Sequence, residues 1–189
     1  MNPDFIGPDS GQKGDKRMER TGLQRTWVRM LLTFLTLAVM IMIFVFSTEN
    51  AERSDATSGQ FSRIVIAVIY PEYDGYSAER QKTLFEEVQF SVRKAAHFTE
   101  YMVLGLLIRL CLESWFGKRK SLPVSSWAAG ALYACTDELH QLLTDGRSGQ
   151  WQDVLIDSSG VLTGVLISTL ALKLVRRNAR TEKGNDPCP

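Results

Sequence analysis

This chain is poor in the residues that mark most catalytic and metal sites. Its 189 residues include three cysteines and two histidines. Cys111, Cys135 and Cys188 have no metal-ligand spacing and make no even-numbered disulfide framework. Neither HExxH nor another familiar zinc motif occurs. The formal net charge is only +1 and no nucleic-acid motif is present, so no nucleic-acid partner is expected. No internal repeat is visible, which argues against a transporter acting alone. What the chain has is an uneven distribution. An average of 44% hydrophobic and 23% charged residues resembles a soluble protein, yet the apolar residues are bunched into four runs and the charges into the gaps.

The runs set the organisation. Residues 1–26, rich in Gly, Asp, Lys and Arg, read as a disordered arm. Trp27 to Phe46 supplies the ~20 apolar residues that a bilayer-spanning helix needs. Residues 47–92 are mostly polar. Within them Phe61–Pro71 is apolar over about half a span and reads as a re-entrant or interfacial piece. Pro71 stops it, and Ser77 is placed to cap a following helix with Glu79 in its first turn. Further spans are expected at about 95–115, 122–143 and 153–175, followed by a basic tail, 176–189. Arg109 and Glu113 near the end of the second span are expected to snorkel to the interface. The expected fold is all-α, a four-helix transmembrane bundle. Fourteen Lys and Arg residues fall on one side of these spans and seven on the other, placing both termini in the cytoplasm and the 47–92 segment outside.

That topology brings polar residues to one depth. Arg93, Lys94, His97, Glu100 and Tyr101 open the second span. Asp137, Glu138, His140 and Gln141 close the third, Arg147 stands in the link, and Asp153 and Asp157 open the fourth. Ionisable groups at membrane depth usually face a protein interior or a wet cavity. Below them, Gly105, Gly130, Gly160 and Gly164 continue the same helical stripes, and Gly160-x-x-x-Gly164 is a small-xxx-small pattern that allows close helix approach. The expectation is a tight inner half and a polar pocket opening outward. The plainer alternative is a set of interfacial acids and structural ion pairs, such as Arg93 with Glu100 or Arg147 with Asp153.

Together these residues resemble the VanZ-like family of small bacterial membrane proteins. The matching pieces are Arg93-Lys-Ala-Ala-His-Phe-Thr-Glu-Tyr-Met-Val-Leu-Gly105, Asp137-Glu-Leu-His-Gln141, Gly146-Arg147, and Asp153 and Asp157 followed by Gly160 and Gly164. The resemblance covers roughly residues 28–175. It implies a multi-pass protein of the bacterial plasma membrane, associated through the founding member with low-level resistance to teicoplanin, a glycopeptide acting at the outer face. Asp145 stands where the family pattern leads one to expect Pro, and Thr48-Glu49 follow Ser47 where Ser-Gln is commoner.

Three functions compete. One is an envelope protein, surrounded by membrane lipid, whose pocket binds a lipid-linked or peptidoglycan-related molecule. In it Arg147, Arg93 and Lys94 pair with phosphate or carboxylate, and Asp137, Glu138, Asp153 and Asp157 hold these cations or bind amines. Another is a membrane hydrolase or transferase with a divalent metal. His97 with Glu100 and Asp137 with His140 would each supply two ligands at i, i+3, suited to Zn, Mn or Fe. Glu138, with Asp137 and Asp157 as the other catalytic candidates, would act as general base. The third is a small transporter relaying protons through His97 and the acids; a homo-oligomer would weaken the objection that four spans without a repeat are too few.

Overall fold

No proline falls between Pro71 and Pro123. The computed structural model forms there one continuous helix, α3, Ala78–Phe116, 39 residues long. Ser77 starts it as expected: its side chain accepts from the backbone N–H of Arg80 at 3.4 Å, and Glu79 stands in the first turn. Gly117 ends it. There φ is 68° and ψ −167°, while its N–H donates to the Glu113 carbonyl at 2.9 Å. Residues with a Cβ rarely enter that backbone region. Gly117→Val is therefore expected to lower stability by about 1–3 kcal/mol, read as a fall in the Tm of detergent-purified protein. An unchanged Tm would show that the turn does not depend on this glycine.

The structure describes residues 10–48, 51–142 and 151–184. Besides α3 they form α1 (Ser10–Thr48), α2 (Ala51–Ile69), α4 (Leu122–Gln141) and α5 (Trp151–Gly184), with no strand among the described residues. The helices extend beyond the expected apolar runs. Helix α1 begins at Ser10, inside the expected disordered arm. Residues 10–26 include three Arg, two Lys and two Gln, good helix formers, and adjoin an apolar helix whose nucleus is already formed. Helix α5 likewise runs through much of the expected tail. The apolar Phe61–Pro71 piece is the end of a 19-residue helix that starts at Ala51. Ser58, Ser62 and Ile66 recur at four-residue intervals on its buried face, which meets Leu84 and Val88 of α3. Gln89 Nε2 donates to Ser58 Oγ at 3.2 Å. The α2–α3 connection is locked by a reciprocal pair: Tyr73 Oη donates to the Gln81 carbonyl and Gln81 Nε2 to that of Tyr73.

Helix α3 lies in the middle, touching α1, α2, α4 and α5. Specific pairs give the directions. Arg29 Nε donates to the Ser114 carbonyl, whereas Tyr133 of α4 donates its hydroxyl to the Met40 carbonyl and the His140 ring lies against Phe44. Helix α1 is thus antiparallel to α3 and parallel to α4. Along α3 and α5, Lys94 meets Asp153, His97 meets Asp157, and Arg109 meets Thr169. These two run parallel, with α4 returning between them. The core between the four is Ile43, Tyr101, Leu104, Ile108, Ala134, Val161 and Val165.

Three helices contain stretches long and apolar enough to cross a membrane: Leu23–Thr48, Ala78–Phe116 and Trp151–Asn178. Their outer flanks expose large apolar side chains such as Phe34, Ile41, Leu166 and Leu170, as lipid-facing surfaces do. The expected third span, 122–143, is a helix to Gln141 but is not among them. Its serines, alanines and terminal Asp137-Glu138 dilute its hydropathy, and residue 143 lies outside the described residues.

Candidate functional site

Close backbone approach comes first, because it aligns the polar ends. A Cβ on Gly160 or Gly164 would come closer than 3.0 Å to a carbonyl oxygen of α3, that of Phe98 or Met102. One on Gly105 would strike the backbone of Val161, and one on Gly130 the side chain of the same valine. These four glycines thus lie where α3 and α4 press against α5. With no side chain between them, the parallel helices α3 and α5 stay in contact along their length, and the residues one to three turns earlier on each come face to face.

Those residues are the charged ones. Lys94 Nζ donates to Asp153 Oδ1. One turn deeper, His97 Nδ1 lies 3.8 Å from Oδ1 of Asp157, whose side chain is only 1% exposed against 20% for the histidine. From α4, Gln141 Nε2 donates to Asp137 Oδ2 at 3.2 Å, both side chains buried. Glu138 is also buried and engaged with a partner. Asp157 lies within electrostatic reach of Asp137, Asp153, Glu138 and Glu100. The Tyr101 hydroxyl, fully buried below them, lies in the field of Asp137 and Asp157. Arg93 is half-buried and engaged. Helices α3, α4 and α5 therefore bring His97, Glu100, Tyr101, Asp137, Glu138, Asp153 and Asp157 into one cluster. Arg147, with Asp145 and Gly146, lies outside the described residues.

Among the described residues carboxylates exceed cations in this cluster, with Lys94 paired to Asp153 and His97 beside Asp157. Such a cluster can be neutralised by an entering cation or ammonium group or by protonation of its carboxyl groups. A metal ion would need a converging ligand set. Among the described residues, no three His, Cys, Asp or Glu side chains are grouped to hold one. Of the four candidate ligands, His140 is turned to α1, its ring centroid 4.7 Å from that of Phe44.

The opposite end of the same helices holds what the sequence reading missed. Arg109 and Glu113, expected to snorkel outward, are only 4% and 9% exposed. Arg109 Nη2 pairs with Glu113 Oε2 at 2.5 Å, Arg109 Nε donates to Thr169 Oγ1 at 3.2 Å, and Arg176 of α5 pairs with Glu113 Oε1. A signal existed. Positions 97, 101, 105 and 109 fall at four-residue steps, so Arg109 continues the inward stripe rather than the lipid face. Ser47, at the end of α1, is also buried.

No curated protein and no solved structure matches the chain. The family model of VanZ/LLP1 matches residues 32–172, a stretch that contains every motif quoted above, and the chain belongs to the VanZ/LLP1 family.

Proposed function

We propose that this chain is a four-span protein of the bacterial plasma membrane, with both termini cytoplasmic, whose carboxylate cluster is a binding site reached from the extracytoplasmic side. Its ligand is an ammonium-bearing component of the cell envelope, such as a peptidoglycan-related molecule, and binding lowers susceptibility to teicoplanin. Family membership and the three apolar helices support the membrane reading. The alternating directions of α1, α3, α4 and α5 support four crossings, since α4 returns the chain beside helices long enough to span. The Lys and Arg asymmetry supports the orientation.

One observation carries the site: Asp157 is enclosed on α5 beside His97 and within the field of four more carboxylates from three helices. A purely structural arrangement would not need so many acids of one sign in a desolvated space. The metal-dependent hydrolase or transferase has no ligand set among the described residues, and no observation favours the transporter.

Asp157→Asn and Asp137→Asn keep the side-chain shape and remove the charge. Expressed in a teicoplanin-susceptible host, each is expected to abolish the protection given by the wild-type chain while accumulating in the membrane at the wild-type level. Protection that persists in both variants would sink the binding-site reading. A wild-type chain that gives no protection would remove the teicoplanin assignment.

A further inference from the structure

A second charged feature lies at the far end of the bundle from the carboxylate cluster. A cavity of about 710 Å³ opens between the end of α3, the start of α4 and the last turns of α5. Lys118, Arg119 and Lys120 of the α3–α4 turn line one wall, and Lys173 and Arg177 of α5 the other. Arg109 and Arg176 complete the lining, joined through Glu113. Seven cationic side chains therefore face one space, and Glu113 is already shared by two of them.

Loop cations that orient a membrane protein explain part of this, because such residues need only stand at the helix ends. They do not explain Arg109. It sits two turns inside α3, 4% exposed, and its Nη1 is buried with no hydrogen-bond partner among the described residues. Its other nitrogens are spoken for: Nε by Thr169 and Nη2 by Glu113. Arg109 Nη1, buried in the wall of a cavity ringed by cations, is left without an acceptor among the described residues. We infer that this cavity binds a phosphate-bearing anion, with Arg109 Nη1 donating to a phosphate oxygen and Lys173, Arg177 and the 118–120 turn neutralising the rest. Guanidinium groups match phosphate geometry, and the surrounding lysines act as point charges. Because the cavity lies at the ends of membrane-length helices, the headgroup of an anionic phospholipid is the favoured source, with a soluble phosphate compound as the other.

The test uses full-length protein in phosphatidylcholine nanodiscs, with or without phosphatidylglycerol. Retained lipid is measured by native mass spectrometry after release, and pyrophosphate binding by calorimetry in discs of phosphatidylcholine alone. Wild type is expected to retain phosphatidylglycerol preferentially. Arg109→Gln and the surface pair Lys173→Gln/Arg177→Gln are each expected to weaken retention about tenfold, as the loss of charge-assisted hydrogen bonds does. Arg25→Gln, which removes a charge outside the cavity at the same end, is expected to leave it unchanged. The Lys173/Arg177 pair keeps the test decisive if Arg109→Gln fails to fold. Pyrophosphate binding that the same variants abolish, without any lipid preference, supports the site and assigns the soluble source. Equal loss in Arg25→Gln, or no preference and no binding in either arm, overturns the site.

Discussion

Replacing Gly164 even by alanine is expected to force α3 and α5 apart. The added Cβ would sit closer than 3.0 Å to the Met102 carbonyl carbon and oxygen and to the Leu106 amide nitrogen. All are backbone atoms of a helix whose hydrogen bonds are already made, so no rotamer change can relieve the contact. The helices must separate instead, and that displacement reaches both ends: it draws Asp157 from His97 and Thr169 from Arg109. Overpacking of this kind costs about 1–3 kcal/mol, and here it also loosens two polar clusters. The expected result is a marked fall in Tm in detergent, with less protein in the membrane, growing worse for Gly164→Leu. Gly75→Ala is the control, since a Cβ there meets nothing within 4 Å. A Gly164→Ala protein as stable as wild type would mean that α3 and α5 do not approach so closely.

The second large effect concerns Glu113. Removing it as Glu113→Ala leaves Arg109 buried beside Thr169 without its counter-charge. Breaking one side of a buried pair costs about 3–5 kcal/mol. Arg176, more than a third exposed at its side chain, can turn toward water and shares little of that loss. Arg109 cannot. The double change Arg109→Met/Glu113→Met is therefore expected to recover most of the lost Tm, because apolar side chains of similar volume commonly replace a buried ion pair without penalty. If Glu113→Ala alone proves neutral, the two groups reach solvent and the inward network does not hold.

These two sites differ in how far the sequence alone exposes them. Gly160 and Gly164 share a stripe with Asp153 and Asp157, so both the close packing and the polar end of α5 are visible in the spacing. Pro71 and Ser77 mark a helix stop and start by local backbone chemistry. Arg109 and Glu113 were hidden because a charge near a helix end has two homes, lipid headgroups or a partner helix. The choice depends on α3 and α5 running side by side in the same direction, a contact between residues some sixty positions apart. The start of α1 at Ser10 was hidden for a different reason: polar helix formers carry no periodicity of their own and become helical by extending an apolar neighbour. At α4 small residues and two buried acids, Asp137 and Glu138, lower the mean hydropathy of a helix that packs against α1, α3 and α5.

The unbroken length of α3 has a mechanical consequence. At ~1.5 Å per residue its 39 residues extend roughly 58 Å, about twice the ~30 Å hydrocarbon layer. Its first turns are held by the Tyr73–Gln81 latch of the α2–α3 connection, and the shaft carries Lys94, His97 and finally Arg109 with no proline joint between them. The histidine face and the arginine face thus stand on one unbroken rod, on either side of the Gly105 crossing.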